Sequence, residues 1–104
     1  MTQEEQNLHK VLTTLGRPVA FMLFKTPKPL PFIVYRGEGS YTLQADNIVY
    51  YSRERFAVEL YFEEKNNQLE AKLESALTTA GYIWRKSDDV YIENERMYVT
   101  TYSI

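Results

Sequence analysis

Apolar side chains alternate with others from Arg55 to Phe62: Phe56, Val58, Leu60 and Phe62 fall on one side, Arg55, Ala57, Glu59 and Tyr61 on the other. A period of two predicts a half-buried strand whose aliphatic and phenylalanine face meets a core. After a polar turn the period changes. Leu69, Leu73, Ala76, Leu77 and Ala80 fall on one helical stripe and leave Glu70, Lys72 and Glu74 to solvent, which predicts an amphipathic helix. Asn67 followed by Glu70 suits its N-terminal cap, and Gly81 suits a left-handed C-cap. Strand and helix each offer one apolar face and each needs the other, so residues 53–81 are expected to organise the remaining chain.

Upstream, Thr2-Gln3-Glu4-Glu5 is a capping box, Leu8, Val11, Leu12 and Leu15 form one stripe, and Gly16 ends the helix. Residues 19–24 are apolar on both faces, the pattern of a central strand covered on both sides. Residues 25–31 interleave three prolines with other residues and predict a stiff connector. It serves either as an arm that touches a partner or as a rigid loop that delivers the next strand. Phe32 to Arg36 reads as that strand. The Gly37-Glu38-Gly39-Ser40 run breaks it, Tyr41 to Asn47 reads as a polar excursion, and Ile48 to Tyr51 returns towards the organising strand. The path from Gly37 to Tyr51 is longer than a hairpin needs, so it is expected to be mobile in the free monomer and to order on contact with a neighbour. Beyond the second helix, residues 82–86, 90–93 and 96–104 read as strands separated by Ser87-Asp88-Asp89 and Asn94-Glu95. The expected fold is α+β: a mainly antiparallel sheet with two helices packed on one face, in a single domain spanning residues 1–104.

Composition narrows the function more than the fold. A net charge of −2 lacks the basic footprint of a dedicated nucleic-acid binder. The absence of cysteine removes disulfides and thiolate metal sites and fits a cytoplasmic origin. No signal-peptide pattern opens the sequence, and no apolar run is long enough to span a bilayer. Nine tyrosines, five phenylalanines and one tryptophan raise the aromatic content to 14%. Several lie on the outward side of predicted strands, which suits either an interface or simply a strand-rich domain.

Candidate chemistry is sparse. His9 is the lone histidine and is expected to be a solvated residue on helix one. Asp88-Asp89 and Glu93-Glu95 lack the glycine and ligand spacing of a calcium loop, and neither a nucleophile elbow nor a phosphate-cradling glycine loop occurs. Arg36-Gly37 lacks the aromatic pattern that an RNA-recognition motif would place after it. The expectation is no enzymatic activity, no metal and no cofactor.

An ordered set of segments resembles a known family. Leu30-Pro31-Phe32-Ile33-Val34-Tyr35, Ala45-Asp46-Asn47 with Val49-Tyr50, and Val58-Glu59-Leu60-Tyr61 come first. Leu69-Glu70-Ala71-Lys72-Leu73-Glu74 and Tyr91-Ile92-Glu93-Asn94-Glu95 with Met97-Tyr98 complete it. Together they cover the chain from about Pro18 onward and resemble the small minor tail proteins of siphophages and prophages of Gram-positive bacteria, the tail-terminator or tail-completion proteins. The chain departs from them at Gly37-Glu38-Gly39 and Tyr82-Ile83-Trp84. The resemblance implies a tail-terminator-like fold and a structural, non-enzymatic virion role. Subunits would form a homo-oligomeric, hexameric ring at the end of the tail tube and take part in head–tail joining. The implied partners are further copies of the chain, the tail tube protein and a head-completion or connector protein, without specific nucleic-acid or membrane binding. The implied location is the virion tail, after assembly in the host cytoplasm. Expected interface residues are Lys25, Lys28, Arg36, Tyr41, Asp46, Tyr50 and Tyr51. The alternatives are a head–tail connector protein, or a small ferredoxin-like module that binds a ligand or nucleic acid.

Overall fold

A computed structural model describes residues 2–45 and 48–104, with residues 41, 43–45 and 48–52 described by their backbone pairing alone. The order is α1 (Gln3–Thr13), β1 (Val19–Phe21), β2 (Phe32–Ala45), β3 (Ile48–Phe62), α2 (Asn67–Thr79), β4 (Arg85–Lys86), β5 (Val90–Ile92), a 3-10 turn (Glu93–Glu95) and β6 (Met97–Ser103). The fold is α+β. Its six strands form one sheet in the order β1-β2-β3-β6-β4, and β5 also pairs with β6. Only β1 with β2 is parallel; the other pairs run antiparallel.

Helix α1 starts where the sequence requires it, with the Thr2 hydroxyl accepting from the Glu5 N–H at 3.1 Å. In α2 the cap lies one residue earlier than the sequence suggests: Asn66 Oδ1 accepts from the Leu69 N–H at 3.0 Å. Glu70 is consequently free of capping duty and turns inward. Gly81 does sit in the left-handed region, at φ 91°, and the Tyr82 N–H reaches back to the Leu77 carbonyl.

One buried cluster unites Leu8 and Leu12 of α1, Leu69, Leu73 and Leu77 of α2, and the strand residues Ile33, Tyr35, Phe56, Val58, Leu60, Phe62 and Tyr102. Register explains the membership. Ile33 opposes Leu60, and Val58 lies between Tyr35 and Tyr102, so these side chains share one face of the sheet. Burying each Leu or Phe contributes about 1.5–3 kcal/mol, which is what fixes the alternation in β3. His9 is half-buried and not simply solvated: its Nδ1 lies 3.0 Å from the hydroxyl of Tyr35, whose buried phenol needs a polar partner.

Three further sequence expectations are corrected. Residues 19–24 do not form a central strand. Val19–Phe21 is a three-residue edge strand, and the chain then turns through Met22 at φ 69°, with the Leu23 N–H donating to the Phe21 carbonyl at 2.8 Å. This is a γ-turn, strained for a bulky residue by about 1–3 kcal/mol. A continuous apolar run carries no period to distinguish these outcomes. Residues 37–51 are not a loop. Apart from Asp46 and Asn47, which lie outside the described residues, they are the outer half of a hairpin paired up to Ala45↔Ile48. The glycines that read as a strand break accommodate a register shift between Gly37 and Ser40, with Gly39 at φ 88°. Finally, residues 82–84 are not strand. Tyr82 and Trp84 pack against the core, and Trp84 Nε1 donates to Thr78 Oγ1 at 2.9 Å. Only Arg85 and Lys86 pair with β6.

At about 3.4 Å per residue a 14-residue strand spans roughly 48 Å. The long hairpin therefore accounts for molecular dimensions of 49 × 27 × 24 Å. No helix among the described residues is long and apolar enough to cross a membrane.

Candidate interaction surface

The second face of the sheet is covered differently from the first. Phe32 and Tyr61 oppose each other across β2 and β3 and stack at 5.1 Å between ring centroids, while Phe24 meets Phe32 edge-on at 5.1 Å. Residues 22–28 run beside this aromatic row and leave a groove of about 470 Å³ against Val34 and Met97. Lys25 and Lys28 lie on that segment, exposed, and form no ion pair among the described residues. Arg36 lies further along β2, 3.9 Å from the Glu59 carboxylate. Burial first, and the Glu59 carboxylate second, hold the Tyr61 phenol above its ordinary pKa.

Among the described residues two clusters of exposed apolar side chains lie at opposite edges of the sheet, and Ile83, 85% exposed, stands apart from both. The β1 edge carries Phe21, Met22 and Leu23, the last two 56% and 66% exposed. The strained turn at Met22 is what pushes them outward. The far edge carries Val90 and Tyr91, 54% and 49% exposed, with Tyr98 beside them; the Tyr91 and Tyr98 rings lie 4.8 Å apart.

Between α2 and the far edge lies the densest charge cluster of the described residues. Glu70, 2% exposed, receives Lys65 at 2.8 Å and Lys86 at 2.7 Å through the same oxygen, and its Oε2 has no partner. Lys65 also binds Asp89, Lys86 also reaches Glu74, and the Tyr102 hydroxyl donates to Glu74 at 2.7 Å. The Lys65 hydrogen bond, then that of Thr100, holds the Asp89 carboxyl below its ordinary range. Burial, reinforced by Glu74, pushes the Tyr102 phenol far above its ordinary range, so it keeps its proton. These interactions tie α2 to β4, β5 and β6. Chemically the cluster is a lock, with its lysines and most of its carboxylate oxygens committed to one another.

The expected interface residues do not converge on one site. Lys25 and Lys28 flank the groove, Arg36 is paired on the second face, and Tyr41, Tyr50 and Tyr51 occupy backbone positions in the outer hairpin. Asp46 lies outside the described residues. Sequence reasoning passed over Met22, Leu23, Val90 and Tyr91 as surface residues. A three-residue strand is too short to display a period, and nothing local announces a γ-turn at methionine.

Fold and surface together define a class: a small α+β domain on a six-stranded, mostly antiparallel sheet, with a long hairpin and two exposed apolar edges. The sequence matches no protein-family model and no curated protein.

Proposed function

We propose that this chain is a structural bacteriophage protein, a tail-terminator or tail-completion subunit that forms a ring at the end of the tail tube and joins it to the head. The ordered sequence resemblance supplies the family. The structural observation that supports it is the pair of different apolar patches at opposite sheet edges, Phe21–Leu23 and Val90–Tyr91. Two different sticky surfaces on one subunit suit a head-to-tail contact, which closes into a ring when the rotation per subunit permits, whereas a two-fold dimer needs only one surface. In this reading the partners are further copies in a hexameric ring, the tail tube protein and a head-completion or connector protein. The subunit works in the virion tail without cofactor, catalysis, membrane or specific nucleic-acid binding.

Negative-stain electron microscopy of the purified chain at high concentration, with mass measurement in solution, tests the ring. Closed rings are expected; a chain that remains monomeric throughout removes the reading. Co-sedimentation with isolated tail tubes separates a terminator from a head–tail connector, since only the former should cap tubes. A second reading has one observation in its favour. Arg53, Arg55, Arg85 and Ser103 border a depression of about 430 Å³ that a nucleic-acid-binding module could use. Retarded migration of single-stranded DNA or RNA by the monomer would select it.

A further inference from the structure

Charge is distributed unevenly between the two apolar edges. Residues 10–37 contain Lys10, Arg17, Lys25, Lys28 and Arg36 but no aspartate or glutamate. Residues 87–95 contain Asp88, Asp89, Glu93 and Glu95 but no lysine or arginine, and Arg96 closes the run. The first stretch carries β1 and the segment beside the groove; the second carries β5 and the 3-10 turn. Three strands separate β1 from β5, roughly 19 Å at about 4.8 Å per spacing. Asp89 is committed to Lys65, which leaves Asp88, Glu93 and Glu95 exposed and outside any ion pair among the described residues. The β1 edge therefore combines exposed apolar side chains with basic ones and the β5 part of the far edge combines them with acidic ones, while Arg85 and Lys86 of β4 lie further along that far edge, Lys86 committed to Glu70.

We infer that the two edges are each other's partner. Phe21, Met22 and Leu23, flanked by Lys25 and Lys28 of one copy, dock on Val90, Tyr91 and Tyr98, flanked by Asp88 and Glu93 of the next. The inference rests on the ring reading above and names the contact that builds the ring. Three features favour a second copy as occupant. The charges are complementary across the same pair of patches. Both β1 and β5 are edge strands with one side unpaired in the sheet, the form in which exposed apolar strands invite another chain. The strained Met22 turn holds two apolar side chains in water, where the isolated subunit gains nothing from them. The apolar centre supplies the attraction, and the charged rim sets which edge meets which and suppresses like-edge pairing.

Charge reversal at either edge tests this directly. Lys25→Glu/Lys28→Glu gives a chain with two acidic edges, and Asp88→Lys/Glu93→Lys gives one with two basic edges. All four side chains are exposed, so both variants should melt as the wild type does. Each alone should assemble at least roughly tenfold less readily than the wild type, and less so in high salt. Mixed in equal amounts they should recover assembly, because every contact in an alternating ring is again between opposite charges. Leu23→Asp should also weaken assembly, without a change in melting temperature. If the wild type forms rings while the reversed chains assemble equally well alone, or fail to combine when mixed, this contact is wrong and the ring reading survives. A wild type that never assembles removes both.

Discussion

The two faces of the sheet are built from neighbouring residues yet solve burial in different ways. On one face Ile33, Tyr35, Val58, Leu60 and Phe62 are essentially inaccessible and share one buried cluster with leucines of α1 and α2. On the other, Phe32 and Tyr61 are only half-buried beside residues 22–28, and Arg36 and Glu59 share the surface with them. Helices supply closely spaced leucines that interdigitate with strand residues, whereas an irregular segment supplies few side chains per unit length. The first face is therefore where the domain is held together. The second retains a groove beside half-buried aromatic rings, and in the proposed assembly this surface and its margins make the contacts with neighbouring subunits.

The largest test of this contrast is a charge placed on the first face. Leu60→Asp or Leu73→Asp puts an unpaired carboxylate into the buried cluster, at a cost on the order of several kcal/mol, comparable to the whole stability of a small domain. Circular dichroism should show no cooperative thermal transition for either variant, and a transition near the wild-type temperature would mean the face is not a core. A finer comparison truncates one phenylalanine from each side. Phe62→Ala should cost about 3–5 kcal/mol and Phe32→Ala about half that or less, by denaturant unfolding, because the half-buried ring leaves a partly solvated space and no sealed cavity. Equal losses would erase the distinction between the faces.

Much of the first face could be read from sequence. The alternation in β3, the stripes of both helices, the Thr2 cap and the Gly81 stop are local signals, each generated by the same physics that buries them. Three features were not legible. The edge position of β1 depends on which strand pairs with it, and pairing is non-local. The hairpin beyond Gly37 looks like a loop because glycine signals both a break and a bulge. The inward turn of Glu70 depends on Lys65 and Lys86 arriving from opposite ends of α2, which no helical pattern encodes. Of the expected interface residues, Lys25 and Lys28 were visible because the prolines around them already mark an unusual segment. The apolar edges they flank were not.

Smaller effects come from the margin of the first face, where the lysine–carboxylate lock closes it. Asp89, held below its ordinary value of 3.8 chiefly by the Lys65 hydrogen bond, contributes stability above that value and loses it as pH falls further. Lys86, held above its ordinary value of 10.5 chiefly by the Glu70 hydrogen bond against opposing burial, contributes below that value and loses it as pH rises beyond. Melting temperature attributable to these groups should therefore be flat across neutral pH and decline at both ends. Asp89→Asn should shallow the acid limb; an unchanged limb would show that the lock does not operate. The smallest change concerns the second face. Met22→Gly relieves the left-handed strain but adds freedom to the unfolded chain, so stability should stay within about 1 kcal/mol of wild type. A larger loss would mean the Met22 side chain packs within the monomer and is not held for a partner.

The position of β6 has a consequence for time as well as for shape. It lies between β3 on one side and β4 and β5 on the other, so among the described residues β4 and β5 pair with β6 alone. During synthesis the β2–β3 hairpin can zip from its own local pairs, and α1 and α2 can form early. Residues 85–92 must wait until residues 97–103 have left the ribosome and been threaded into register. β5 and β6 close a local hairpin, Ile92 against Met97, whereas seating β6 beside β3 joins Phe62 to Tyr98 and Ala57 to Ser103 and is the slower step. Until then the apolar edge at Val90 and Tyr91 does not exist as a surface. In the ring proposed above, a subunit gains its second docking edge only once β5 has paired with β6.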